Sequence, residues 1–218
     1  MSIKVDSPLI YHGTRIVNLL LLNFLWAVGC IPVITAGAST IAAFEITLKM
    51  VEERESSSVF LPFWRAFASN LKHGIPLTVI FGVVCYGIWL DWQLFENLEG
   101  NTIGFLIIAM AAAAILLVHY MYIFPLEARY QNSLIRSLVN SRKIFFRFFV
   151  RTLGLIGILI IQFLLFTQIH AILLYIGLFC LPILMIYTTS QVIMPIFRKI
   201  EKDTGASDGF AAGGEPVL

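Results

Sequence analysis

Residues 103–124 read IGFLIIAMAAAAILLVHYMYIF, 22 consecutive positions without Asp, Glu, Lys, Arg or Pro. A helix needs about 20 mostly apolar residues to cross the hydrocarbon core of a bilayer. A helix on the surface of a soluble domain keeps a polar face for water, and this stretch has none over its first four turns. Three more segments repeat the pattern: Ile75 to Leu94, Thr152 to Phe166 and Ala171 to Ile196. Pro76 opens the first of these, where a helix tolerates proline. Phe145, Phe146, Phe148 and Phe149 extend the short Thr152 segment through the interface. Pro182 is expected to kink the last one.

Composition agrees with this reading. The chain has 218 residues, 59% of them apolar and 13% charged. Soluble domains average roughly 45–50% apolar and about 25% charged. Mean hydropathy is +0.87. A soluble protein of this size cannot hide so much apolar side chain. Disordered, collagen-like and disulfide-stapled classes are excluded, and a soluble enzyme nearly so. The expected fold class is all-α: a polytopic α-helical membrane protein with five transmembrane helices, six in the alternative, plus a cytoplasmic basic amphipathic helix. A single helical domain is expected over residues 1–202. A glycine-rich, disordered cytoplasmic tail is expected over 203–218.

Charge placement orients the spans, because Lys and Arg concentrate on cytoplasmic connections. The connection from Asp91 to Asn101 has no Lys or Arg, and neither has that from Thr167 to His170. Lys49, Arg54, Arg65 and Lys72 occupy one connection. Arg129, Arg136, Arg142, Lys143, Arg147 and Arg151 occupy a second, and Arg198, Lys199 and Lys202 the tail. The last three regions read as inside, so the C-terminus is expected in the cytoplasm.

The N-terminal region admits two readings. An apolar run from Ile16 to Cys30 is interrupted at Ile31-Pro32. A helix then follows with Ile41, Phe44, Leu48 and Val51 on one face and Glu45, Lys49 and Glu52 on the other. That pattern suits an interfacial helix or a short return span. With one span here, Lys4 and Arg15 break the charge rule, leaving 13 cations inside against 2 outside. With a hairpin, all 15 obey it. An internal similarity favours five spans. Ile31-Pro32, an amphipathic helix and Phe63-Trp64-Arg65-Ala66-Phe67 match Phe124-Pro125, an amphipathic helix and Phe145-Phe146-Arg147-Phe148-Phe149, as a parallel repeat would. Trp89 and Trp92 are expected at the outer headgroups, Tyr120 and Tyr122 at the inner ones. Ala109 with Ala113, and Gly154 with Gly157, offer small-residue packing faces.

Sites of chemistry are scarce. There is no phosphate-binding G-x-x-x-x-G-K-[ST] loop, no H-E-x-x-H and no G-x-S-x-G. Cys30, Cys85 and Cys180 lie in apolar stretches, far from any metal-ligand spacing. No metal, cofactor or catalytic residue is expected, and the chain does not read as an enzyme. Candidate intramembrane polar residues are Gln162, Thr188 and Gln191; interhelical hydrogen bonds of about 0.6–2 kcal/mol are their ordinary use. The segment Glu127 to Lys143 reads as the basic amphipathic helix, with Arg129, Arg136 and Lys143 recurring every seven residues on one face. Such a helix meets anionic lipid or a partner protein.

Three ordered motifs carry a family resemblance. Asn23-Phe24-Leu25-Trp26 leads to Pro32-Val33-Ile34-Thr35-Ala36-Gly37-Ala38-Ser39-Thr40. Phe63-Trp64-Arg65-Ala66-Phe67-Ala68-Ser69-Asn70 follows, then Pro125-Leu126-Glu127-Ala128-Arg129-Tyr130-Gln131-Asn132-Ser133. Together they resemble the YesL-like family of bacterial multi-pass membrane proteins, whose function is unknown. The resemblance implies a bacterial cytoplasmic membrane. It also implies an accessory role beside carbohydrate ABC importers, with importer subunits or further copies of the chain as partners and no nucleic acid. Arg65, Asn70, Arg129, Asn132, Arg136 and Lys143 are then the candidate docking residues. A stand-alone transporter or channel for a small neutral solute is the alternative.

Overall fold

A computed structural model describes residues 8–54, 58–97, 103–130, 133–168 and 171–204. Asn132 and the tail from residue 205 lie outside these. The elements are α1 (Pro8–Cys30), a 3-10 turn (Val33–Thr35), α2 (Ala36–Val51), α3 (Phe60–Asn97), α4 (Ile103–Tyr130), α5 (Leu134–Arg147), α6 (Phe149–Gln168) and α7 (Ala171–Thr204). The chain is an all-α polytopic membrane protein. Six of its described helices are long and apolar enough to cross a membrane, and α5 is the exception.

The helix that the sequence leaves between an interfacial position and a short return span is the centre of the molecule. α2 packs against α1, α3, α4 and α7, and 12 of its residues are buried. Its first two turns, Ala36 to Ala43, are mostly Ala, Gly, Ser and Thr, which let membrane helices approach closely. The closest approach is at Gly37 and Gly74, where α2 crosses α3. A Cβ on Gly74 would fall on the backbone of Ala38, and one on Gly37 would meet the Gly74 carbonyl. The Gly37 N–H donates to Thr78 Oγ1 at 2.8 Å. Gly154 and Gly157 have nothing within 4 Å of a built Cβ, so they form no such crossing. Ala109 is buried while Ala113 is exposed.

Proline ends α1, since Pro32 has no N–H to continue it. The following Thr35 Oγ1 donates to the carbonyls of Gly29 (2.7 Å) and Pro32 (2.8 Å), satisfying the frayed end. α2 then returns antiparallel to α1. Trp26 Nε1 donates to Thr40 Oγ1 at 3.2 Å, Ser39 Oγ donates to the Trp26 carbonyl at 2.8 Å, and Arg15 bonds the Met50 carbonyl at the other end. The turn presents Ile31, Val33 and Ile34 outward. α2 stops where Glu53 adopts a left-handed φ of 59°.

The hairpin favours the six-span reading of the N-terminal region. It makes six candidate spans, where the repeat favoured five. The halves are not equivalent either. α2 is buried while α5 lies at the surface; Pro32 ends a helix while Pro125 lies inside one. Phe63 to Phe67 sit within the continuous 38-residue α3, whereas Phe148 breaks α5 from α6. The span containing Pro76 therefore begins at Phe60, well before the proline. Tyr122 is another departure: it is fully buried and bonds Thr152 Oγ1 of α6 at 2.5 Å rather than reaching headgroups.

With six spans, α1 begins and α7 ends on one side. In a background lacking the three native cysteines, Gly13→Cys and Asp203→Cys should react with an impermeant thiol reagent from the same side of sealed membranes. Reaction from opposite sides would return the five-span arrangement.

Candidate functional site

The last three turns of α4, residues 121–130, are buried at every position. A helix enclosed all round cannot leave a guanidinium in water, so Arg129 must find its partners inside. Its side chain has no exposed surface. Nε donates to Glu201 Oε1 at 2.7 Å and Nη2 to Oε2 at 3.1 Å, a planar two-point match. Nη2 also lies 3.0 Å from Glu52 Oε1, just past the end of α2. Nη1 donates to Met194 Sδ at 3.4 Å, and the Tyr130 hydroxyl donates to Glu201 Oε1 at 2.7 Å. The guanidinium carbon sits 5.8 Å and 5.9 Å from the ring centres of Tyr130 and Phe197.

This knot ties the ends of α2, α4 and α7. One cation meets two carboxylates, and Arg54 Nε approaches Glu52 Oε2 at 3.9 Å from the rim. A buried pair adds little over well-packed apolar residues, but removing one partner strands a charge. The knot therefore makes the position of each of the three helix ends depend on the other two.

A second cluster sits two residues earlier on α4. Glu127 has a side chain 1% exposed. His73 Nδ1 of α3 lies 2.7 Å from its Oε2, and Ser137 Oγ of α5 donates to its Oε1. Together the clusters join α2, α3, α4, α5 and α7 at the end of the bundle where Lys and Arg collect.

The expected docking face divides. Arg129 is a correction: it belongs to α4 rather than to the amphipathic helix, and it is spent on Glu52 and Glu201. The sevenfold spacing with Arg136 fails because Ser133, with an extended ψ of 144°, lies between α4 and α5. Asn70 is a second correction: it is 5% exposed, and its Nδ2 donates to the Ala66 carbonyl of its own helix at 2.8 Å. Asn132 lies outside the described residues. Arg65, Arg136 and Lys143 are exposed.

α5 is arranged against expectation. Ser137, Asn140, Ser141 and Ile144 face inward, so three of its four buried residues are polar. Ile135 (76% exposed) and Phe146 (70%) face outward, beside Arg136, Val139, Arg142 and Lys143.

The intramembrane polar residues separate as well. Gln162 Nε2 and Thr188 Oγ1 come within 3.4 Å, joining α6 to α7, while Gln191 is exposed elsewhere. Ser190 turns to α2 and meets Thr47 Oγ1 at 2.7 Å. Near them α4, α6 and α7 bound a cleft of about 560 Å³, floored by Trp26 and Phe44. Its walls are apolar apart from Tyr120, Trp26 and Thr189. Among the described residues no group of three or more His, Cys, Asp or Glu could hold a metal ion.

Sequence reasoning missed Glu52, Glu201, Glu127 and His73. Each reads as an ordinary solvated charge near a helix end. The one signal was the Pro125 to Tyr130 motif, whose Glu127 and Arg129 sit in an otherwise apolar approach to the interface.

An all-α membrane bundle locked at its basic end is the class that fold and site define. Residues 19–92, about a third of the chain, match the family model described as protein of unknown function, DUF624. The match takes in the first two motifs and stops short of the Pro125 motif. No curated protein and no solved structure matches the chain.

Proposed function

We propose that the chain is an accessory or scaffold subunit of the bacterial cytoplasmic membrane that docks onto a carbohydrate ABC importer. In this reading the basic end faces the cytoplasm, both termini with it, and the chain carries out no reaction of its own. The observation that carries the reading is the outward face of α5. Ile135, Arg136, Val139, Arg142 and Lys143 point away from a body tied together by the Arg129 and Glu127 clusters. An apolar strip rimmed by cations on a fixed helix is the form of a partner surface. Arg65 adds a cation on α3. The importer as partner comes from the family resemblance.

A stand-alone route for a small neutral solute has less support. Gln162 and Thr188 bond to each other, and the cleft beside them is apolar.

The reading predicts that Arg136→Glu/Lys143→Glu inserts and folds as the parent does but loses its importer in mild detergent, with at least a tenfold drop in co-isolated permease. Charge reversal at a docked rim costs several kcal/mol, which makes that drop a lower bound. Undiminished co-isolation would remove α5 from the interface. Loss of insertion would assign the face to lipid.

A further inference from the structure

The corner where α5 turns into α6 carries more cations than the described carboxylates neutralise. From Ala128 to Ile200 the sequence has no Asp or Glu. Phe148 sits in the break between the helices, with its side chain nearly buried. Three cations surround its ring. Arg147 Cζ lies 5.7 Å from the centroid, Arg151 Cζ 6.0 Å and Lys199 Nζ, from α7, 5.9 Å. All three charges thus fall within 6.0 Å of one point. Asp203 takes up Arg147, at 2.9 Å. Among the described residues Arg151 and Lys199 have no carboxylate partner.

An aromatic ring attracts one exposed cation by about 0.5–1 kcal/mol and does nothing to relieve repulsion between Arg151 and Lys199. The arrangement calls for an anion. The side chains around it say which kind. Phe146 is 70% exposed, Val150 81% and Phe149 45%, all within one turn of the cations. A free phosphate in water would have no use for that apolar surface. α6 begins at this corner and is apolar enough to cross the membrane, which sets the corner at headgroup depth. Cations at the phosphate level beside apolar side chains at the acyl level match the two halves of a phospholipid.

We propose that Arg151 and Lys199, on either side of Phe148, hold the phosphate of an anionic phospholipid whose chains cover Phe146, Phe149 and Val150, while Arg147 stays paired with Asp203. The site shares Phe146 with the end of α5, but its cations are other than Arg136, Arg142 and Lys143, and it does not depend on any importer.

The test uses the full chain in detergent, titrated with phosphatidylglycerol or phosphatidylcholine and read by native mass spectrometry. One phosphatidylglycerol should be retained about tenfold or more in preference to phosphatidylcholine, given roughly 1 kcal/mol for each cation at the surface. Arg151→Gln/Lys199→Gln should abolish the preference. Arg65→Gln/Lys72→Gln, an equal loss of charge at the same end, should leave it intact. Arg151→Lys/Lys199→Arg should retain it, which separates charge from folding; if the double glutamine variant does not fold, Arg151→Gln alone should lower retention about threefold. Equal retention of the two lipids, equal loss in the two glutamine variants, or displacement of the lipid by inorganic phosphate would each overturn the proposal.

Discussion

Replacing Arg129 with methionine is expected to cost ~3–5 kcal/mol, the usual penalty for stranding a buried charge. The variant leaves Glu52 and Glu201 without the guanidinium that lies between them, with Arg54 at the rim near Glu52. Tyr130 would still donate to Glu201, which is too little for a carboxylate that has lost its two-point partner. The ends of α2, α4 and α7 should separate, and the protein should elute from size exclusion as a broad, partly unfolded species. Arg129→Lys keeps the charge but not the planar fork, so it should fall between the two. The triple variant Arg129→Met/Glu52→Gln/Glu201→Gln removes every charge together and should regain most of the loss. Unfolding of Arg129→Met at the parent's temperature would show that the knot has no part in holding the bundle.

Gly74→Leu should be the next most damaging change. The new side chain would be built into the backbone of Ala38, and backbone cannot rotate aside. Overpacking of a flexible core costs about 1–3 kcal/mol, and a helix crossing in direct contact belongs at or above the top of that range. α2 would have to move off α3 as a body, taking the Gly37 to Thr78 hydrogen bond with it. Gly82, two turns along the same helix, has nothing within 4 Å of a built Cβ. Gly82→Leu should therefore unfold like the parent. Equal behaviour of the two variants in thermal unfolding would contradict the crossing.

Four helices are legible in the sequence because hydrocarbon length is a local property that 20 residues declare by themselves. α2 is not, for two reasons. Its small residues lower its hydropathy, and their value appears only when Gly74, 37 positions away, is known to lie opposite Gly37. Its charges look solvated, yet Lys49 folds back on Glu45 at 2.6 Å and Glu52 goes to Arg129. Amphipathicity thus pointed to an interface that the tertiary contacts remove. The docking residues fail in the same way. Arg129 and Arg136 are seven apart and share a face only if the helix is unbroken. The break at Ser133 leaves one in the core and the other outside. Gln162 and Thr188 lie on facing helices, as their position in adjacent spans suggests, whereas Gln191 lies three residues on and faces away. What sequence supplies well here is which segments are apolar; what it withholds is which polar groups find each other at a separation of 72 residues, as Arg129 and Glu201 do.

Isolation of the tagged chain from its native membranes in mild detergent tests the central claim most directly, with the accompanying proteins identified and quantified. The account predicts an importer permease at an amount comparable to the chain itself, retained through several gentle detergents. A clean homo-oligomer under the same conditions, with solute flux in proteoliposomes containing this chain alone, would contradict it.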